Sequence, residues 1–304
     1  MIRAAFALLF LYVLVDEPAA ARADDKQLKP TNLEKLNTAA DEDDPHAGSS
    51  GLTLFYSSNA KKKFDILTSR RTNQTQAWPA GKEVGDYIQS EVDDRPGFLT
   101  AENRFPQYFY FATKKDKQTK NFDIYVAVKQ DKSAAFTAPT PLNTISSVAD
   151  ELHPWLSANG KELYFSRKSK DGWRVFIATR KEATGAAGFT EPKMLDLMAD
   201  FHHATLTPDG RTMYLQGPLE KGRWGLFRSI RSGTTWGKPE PLDELNDPAG
   251  KTGDRSPCLS RDGFWLYFAS DRPGGKGGLD LYVVKVSDLK ARRQGDKETR
   301  RQGD

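Results

Sequence analysis

The chain repeats itself, and that limits its folds more than any other feature. Residues 157–167 read SANGKELYFSR, residues 207–217 read TPDGRTMYLQG and residues 260–272 read SRDGFWLYFASDR. Residues 49–58, SSGLTLFYSS, and the longer 100–113, TAENRFPQYFYFAT, are two further copies. A proline position precedes each copy, filled by Pro45, Pro96, Pro154, Ala204 and Pro257 at intervals of 51, 58, 50 and 53 residues. A second apolar pulse follows each copy: FDILTSR, FDIYVAV, WRVFIAT, WGLFRSI and LDLYVVK. Self-similarity at such a period marks stacked or radial units that bury their faces against one another.

Each unit reads as a meander. A first strand ends at Asn-Gly or Asp-Gly, where both turn residues are expected at positive φ in a tight hairpin. An aromatic-rich second strand follows, then a polar loop and a third strand. Segments such as TAPTPLNT and KPEPLDEL supply a fourth, where proline is tolerated because an outermost strand can spare an amide donor. Four strands in about 50 residues is the period of a propeller blade. The fifth unit has no fourth strand after it, but LKPTNLEKLNTAADEDDP (residues 28–45) is similar to TAPTPLNTISSVADELHP (residues 137–154). Residues 28–42 are therefore expected to complete the last blade and close the ring, which removes a bare sheet edge. The expected fold is all-β: a five-bladed β-propeller of four-stranded antiparallel blades over residues 24–286.

The pattern of Pro, two residues, Ser, one residue, Asp-Gly, then Leu-Tyr-Phe-x-Ser-x-Arg and Gly-Gly-x-Asp-Leu-Tyr resembles the WD40-like β-propeller repeats. Those occur in the C-terminal domain of TolB and in many secreted bacterial proteins. The strongest matches are Ser260–Arg272 and Gly277–Tyr282. The resemblance implies the propeller repeat and leaves the function open. It also answers what the glycine run at 274–278 is: with no helix after it and no Lys-Ser/Thr pair, it is a turn and no phosphate cradle.

The ends differ from the middle. Met1–Arg3, the apolar run Ala4–Val15 and Ala21-Arg22-Ala23 have the form of a secretory signal peptide over residues 1–23. Export to the periplasm or the medium is expected, with no transmembrane segment. Residues 287–304, which repeat RRQGD, are expected to be a disordered charged tail. Cys258 is the only cysteine, so no internal disulfide can form. Its apolar neighbours suggest a buried, inert thiol.

The chain shows no nucleophile elbow, no His-Glu-x-x-His, no cysteine-rich metal spacing and no dinucleotide fingerprint. Neither a metal nor a cofactor is expected. Two sets of residues do recur by blade. Three positions before the proline stand Glu42, Asp93, Glu151, Phe201 and Asp254; one position before it stand Asp44, Arg95, His153, His203 and Ser256. Both sets would ring one mouth of the central channel. A candidate ligand site is thus Glu42, Asp44, Asp93, Arg95, Glu151, His153, His203 and Asp254, holding a cation or a small polar ligand. The alternative is that each carboxylate caps a turn or pairs with a neighbouring arginine. His202 and His203 are expected on opposite faces of their strand.

The loops between second and third strands should surround the same mouth. They carry Lys61, Lys62, Lys63, Lys114, Lys115, Lys117, Lys120, Arg167, Lys168, Lys170, Lys221, Arg223, Arg272 and Lys276 against four acids. The formal net charge is only +4, so a basic face would be local. It would attract anionic polysaccharide or envelope polymer; the alternative is lysine-rich hairpin tips that serve solubility. A monomeric, non-catalytic binding module for such a polymer or for a protein is the expectation, with nucleic acid excluded by export. The competing class is a glycoside hydrolase, with Asp93, Glu151 and Asp254 as its candidate carboxylates, because those enzymes include five-bladed propellers.

Overall fold

The structure, a computed structural model, describes residues 27–85, 87–100, 102–115 and 120–289. The expected signal peptide lies outside these residues, as does Lys117. Five antiparallel sheets follow one another along the chain and form a five-bladed propeller. The inner strands are Glu42–Ala47, Asp94–Leu99, Glu151–Leu156, His202–Leu206 and Asp254–Leu259. The outermost strands are two residues each, and two of them, Thr140–Pro141 and Glu240–Pro241, contain proline. So short an edge leaves little to template on. The fifth blade is completed by Thr31–Asn32, antiparallel to Asp280–Lys285.

The repeated Ser-x-Asp-Gly has a physical cause. In the fifth blade the Ser260 hydroxyl donates to Asp262 Oδ1 at 2.5 Å and accepts from the Trp265 amide at 2.9 Å. The Gly263 amide donates to the Ser260 carbonyl. Ser157 with Asn159, and Thr207 with Asp209, repeat this. Only the glycine of each pair has positive φ: Gly160, Gly210 and Gly263. The turns therefore differ from the expected two-residue hairpin, being a β-turn followed by a left-handed glycine. The third copy of the tyrosine in each second strand, Tyr164, is fully buried, as are Tyr56, Tyr110 and Tyr214. Four apolar clusters fill the spaces between neighbouring blades, so these strands are apolar on both faces.

Blades are clasped by a second periodic acid. Asp41 accepts the amide of Leu279, Asp93 that of Phe64, Asp150 that of Phe122 and Asp200 that of Trp173, each at 2.9–3.0 Å. Every one of these amides opens the third strand of the preceding blade. Asp93 thus belongs with Asp41, and Asp94 is the counterpart of Glu42, Glu151 and Asp254. The second unit is aligned one residue later than its proline suggests. Gly97, and not Pro96, stands where Pro45, Pro154, Ala204 and Pro257 stand. A Cβ at Gly97 would meet Pro154 Cγ at 2.4 Å and the Tyr110 carbonyl at 2.5 Å, so no larger residue fits. Asp150→Ala should lower the unfolding free energy from urea denaturation by about 1 kcal/mol, the usual worth of one such bond; an unchanged urea midpoint would deny the clasp.

The glycine run seals the ring. The Lys276 amide donates to Asp280 Oδ2 at 2.8 Å, and a Cβ at Gly277 would lie 1.8 Å from the Ala40 carbonyl. The loop is bare because the N-terminal segment passes directly over it. At the other end, residues 286–289 form one helical turn and Leu289 is fully buried in the cluster that holds Tyr214. Packed structure therefore runs past the expected boundary at 286, since Leu289 supplies an apolar anchor. Among the described residues no helix is long and apolar enough to cross a membrane.

Candidate functional site

Each inner strand slips out of register near its start, between Asp43 and His46, Arg95 and Phe98, Leu152 and Trp155, His202 and Thr205, and Arg255 and Cys258. Four of these bulges hold a non-glycine residue at positive φ: Asp44 at 50°, His153 at 56°, His203 at 53° and Ser256 at 55°. Each such residue costs about 1 kcal/mol or more, and strain of this kind gathers at functional sites. Pro96 fills the fifth position, where its ring forbids positive φ. The bulge also overturns the expected opposition of His202 and His203. Their rings lie 6.0 and 3.8 Å from that of His153, so both face the same mouth.

All five blades meet at Asp44, the fifth through the Ser256 hydroxyl, which donates to Asp44 Oδ1 at 3.3 Å. Its Oδ1 lies 3.5 Å from His153 Nε2 and 3.8 Å from His203 Nδ1. Its Oδ2 accepts from Arg95 Nη1 at 2.8 Å and from the Ser57 hydroxyl at 3.1 Å. The His153 and His203 rings stack at 16°. Ser166 joins them, accepting the His203 amide at 2.8 Å and lying 3.1 Å from His153 Nδ1. Asp43 accepts from Ser256 at 2.7 Å and lies 3.8 Å from Arg95 and 3.9 Å from Arg255. Aromatic rings border the cluster. Trp173 stacks on His202 at 5.3 Å, Trp224 meets it edge-on at 5.2 Å, and Phe64 lies under the Arg95 guanidinium at 3.5 Å.

Burial holds these histidines neutral. It drives the pKa values of His202 and His203 down to about 3 and that of His153 well below its ordinary value. Their ring nitrogens therefore keep a lone pair at neutral pH. Asp44, His153 and His203 form a group able to hold a metal ion, within the set expected to hold a cation or a small polar ligand. Beneath them is a void of about 20 Å³, bordered by His46, Trp155 and Cys258, space for about one water. Phe98, Trp155 and His46 then pack edge to face and fill the channel. Burial pushes the Cys258 thiol up to about 12. Native protein should show no thiol reactive with a disulfide reagent at pH 8, and denatured protein one; rapid native labelling would contradict this placement.

The remaining expected acids lie elsewhere. Glu42 accepts from the Thr38 amide at 2.6 Å, Asp94 from the Ser90 amide at 2.7 Å, Glu151 from the Ser147 amide at 3.1 Å and Asp254 from the Asp247 amide at 2.7 Å. All four are at most 1% exposed, and burial raises the pKa of each. Asp93 pairs with Lys114 at 3.3 Å. Of the eight candidates, the structure brings together Asp44, Arg95, His153 and His203. Asp43, Arg255 and His202, two positions before the repeat's proline, were passed over; aligning that column would have found them.

Several of the expected basic residues are engaged by acids or carbonyls. Arg167 and Arg272 turn inward onto Glu151 and Asp254 at 2.7 and 2.6 Å, because those buried carboxylates need a counter-charge. Lys61 pairs with Glu83 and Lys63 with Asp65. Arg223 donates to the Asp247 carbonyl and Lys276 to that of Glu34. Lys62, Lys115, Lys120, Lys170 and Lys221 are exposed, and Lys168 stands 5.3 Å over the Trp173 ring beside the mouth.

Solved structures place the chain by architecture. It is similar to the catalytic domain of a GH62 α-L-arabinofuranosidase from Coprinopsis cinerea, at a TM-score of 0.60 and 12% identity over 86% of this chain and 96% of that one. A B. megaterium levansucrase mutant is similar at 0.57 and 11% identity, over 87% and 90%. TolB from Acinetobacter baumannii is similar at 0.46 and 14% identity, over 80% and 54%. Likeness at such identities shows the fold alone. No family model and no curated protein matches the sequence.

Proposed function

We propose that the chain is an exported, non-catalytic binding propeller whose ligand seat is the mouth around Asp44, and that it recognises an anionic glycan of the envelope or medium. The carrying observation is how the acids are spent. A glycosidase of the usual kind needs two carboxyl groups about 5–10 Å apart across the scissile bond, one with a raised pKa. Here the acids with raised pKa values, Glu42, Asp94, Glu151 and Asp254, each hold a loop amide inside a blade. Those left at the mouth, Asp43 and Asp44, are adjacent and held by Arg95 and serines. What the mouth offers a ligand is different: partly exposed Trp173 and Trp224 as stacking faces, with Arg95, Arg255 and Lys168 as cations. Aromatic faces beside cations suit sugar rings that carry acid groups.

Affinity electrophoresis of the full chain against neutral and anionic polysaccharides tests this. Retardation by an anionic polymer, weakened by salt and lost in Trp173→Ala, is expected. Binding unchanged in Trp173→Ala would move the ligand off the mouth.

A further inference from the structure

The mouth carries one feature that glycan binding alone leaves unused. His203 is 8% exposed, yet its Nδ1 has no hydrogen-bond partner. A buried polar atom left this way costs free energy unless something fills the gap. The atom lies 3.8 Å from Asp44 Oδ1, and His153 Nε2 lies 3.5 Å from the same oxygen. Donors bound at 2.0–2.1 Å to a tetrahedral zinc ion stand about 3.3 Å from one another. Both imidazole nitrogens thus stand from the carboxylate oxygen at close to a tetrahedral edge, all three donors lie within 4.8 Å of one another, and they come from the first, third and fourth blades.

We infer that Asp44, His153 and His203 bind a divalent first-row transition metal of the zinc class, with the fourth position open toward the mouth. The donor set fits: two neutral imidazoles and one carboxylate favour zinc, cobalt or nickel over calcium or magnesium, which prefer oxygen throughout. The supports fit as well. Arg95 and Ser57 hold Asp44 Oδ2, which turns Oδ1 to the imidazoles, where the Ser256 hydroxyl also reaches it at 3.3 Å. Ser166 holds His153 Nδ1, which leaves Nε2 for the ion. Such outer partners orient ligands in metal sites. The stacked rings must part for both to face one ion, since planes inclined by only 16° with centroids 3.8 Å apart meet far from the donors. His203, with no bond to break at Nδ1, is the ring that turns. The open fourth position would then accept an acidic or hydroxyl oxygen of the ligand, which rests on reading the mouth as the ligand seat.

Cobalt titration of the metal-free full chain, followed by visible absorption, reads the site directly, and equilibrium dialysis with zinc gives its stoichiometry. One ion per chain with an intense tetrahedral cobalt band is expected. Ser166→Ala should weaken affinity about 10–100-fold, and His203→Ala by more than about 100-fold. His202→Ala, outside the donor set, should retain the band. No band with wild type, or equal binding in His203→Ala of unchanged circular dichroism, would overturn the inference. Zinc uptake without glycan binding would sink the proposed function and leave the metal site. Glycan binding with no metal uptake would do the reverse.

Discussion

Removing residues 27–41 leaves a chain that does not fold to a stable monomer. The segment supplies the outermost strand of the fifth blade and two side chains, Leu33 and Leu36, that are 8% and 1% exposed. Each is worth about 1.5–3 kcal/mol in burial. Asn37 adds a reciprocal pair of bonds, its Nδ2 donating to the Leu281 carbonyl and its Oδ1 accepting the Leu281 amide. The loss is on the order of the whole stability of a typical domain, about 5–15 kcal/mol. It also bares the edge of Asp280–Lys285, an apolar strand that then invites pairing with a second chain. Size-exclusion chromatography and thermal circular dichroism should show aggregates and no cooperative melt. A monomer melting within a few degrees of the full chain would mean that the ring is closed by something else.

The second large effect is expected at Asp254. It is 1% exposed and faces the Arg272 guanidinium, itself buried between Phe268 and Tyr282. Asp254→Ala strands that cation, and breaking a buried pair in this way costs about 3–5 kcal/mol. The Asp247 amide also loses its acceptor. By contrast Asp93→Ala, which severs a half-exposed pair with Lys114 and one amide bond, should cost about 1 kcal/mol. Chemical denaturation of both variants would compare them. Equal losses would contradict the assignment of Asp254 to the core and Asp93 to the blade clasp.

That contrast shows what could be read from the sequence and what could not. The five units were legible because Ser-x-Asp-Gly and the tyrosine of each second strand serve the same local purpose in every blade. The closing segment was legible because Pro30-Thr31-Asn32-Leu33 copies Pro139-Thr140-Pro141-Leu142, the fourth strand of the second blade and its flanks. The register of the second blade was not, since Pro96 carries the same signal whether it occupies the bulge or follows it. The Asp93 bond to the Phe64 amide and the approach of Pro154 to Gly97 decide between them. His202 and His203 were misread for a related reason: strict alternation fails at a β-bulge, and a bulge leaves no mark in composition. The column that contains Asp44, His153 and His203 was visible, but the inward turn of these side chains depends on a positive φ shared across blades. Trp173 and Trp224 were hidden among ordinary third-strand aromatics. Arg167 and Arg272 were counted as surface charge because a buried carboxylate partner sixteen or eighteen residues away is not a sequence pattern.

The most direct test of a mouth that binds without cleaving is to incubate the full chain with anionic and neutral polysaccharides and follow retention and free sugar together. Saturable retention of an anionic polymer is expected, with its chain length unchanged and no sugar released. Release of sugar that is abolished in Asp44→Asn would contradict it and make the mouth an active site.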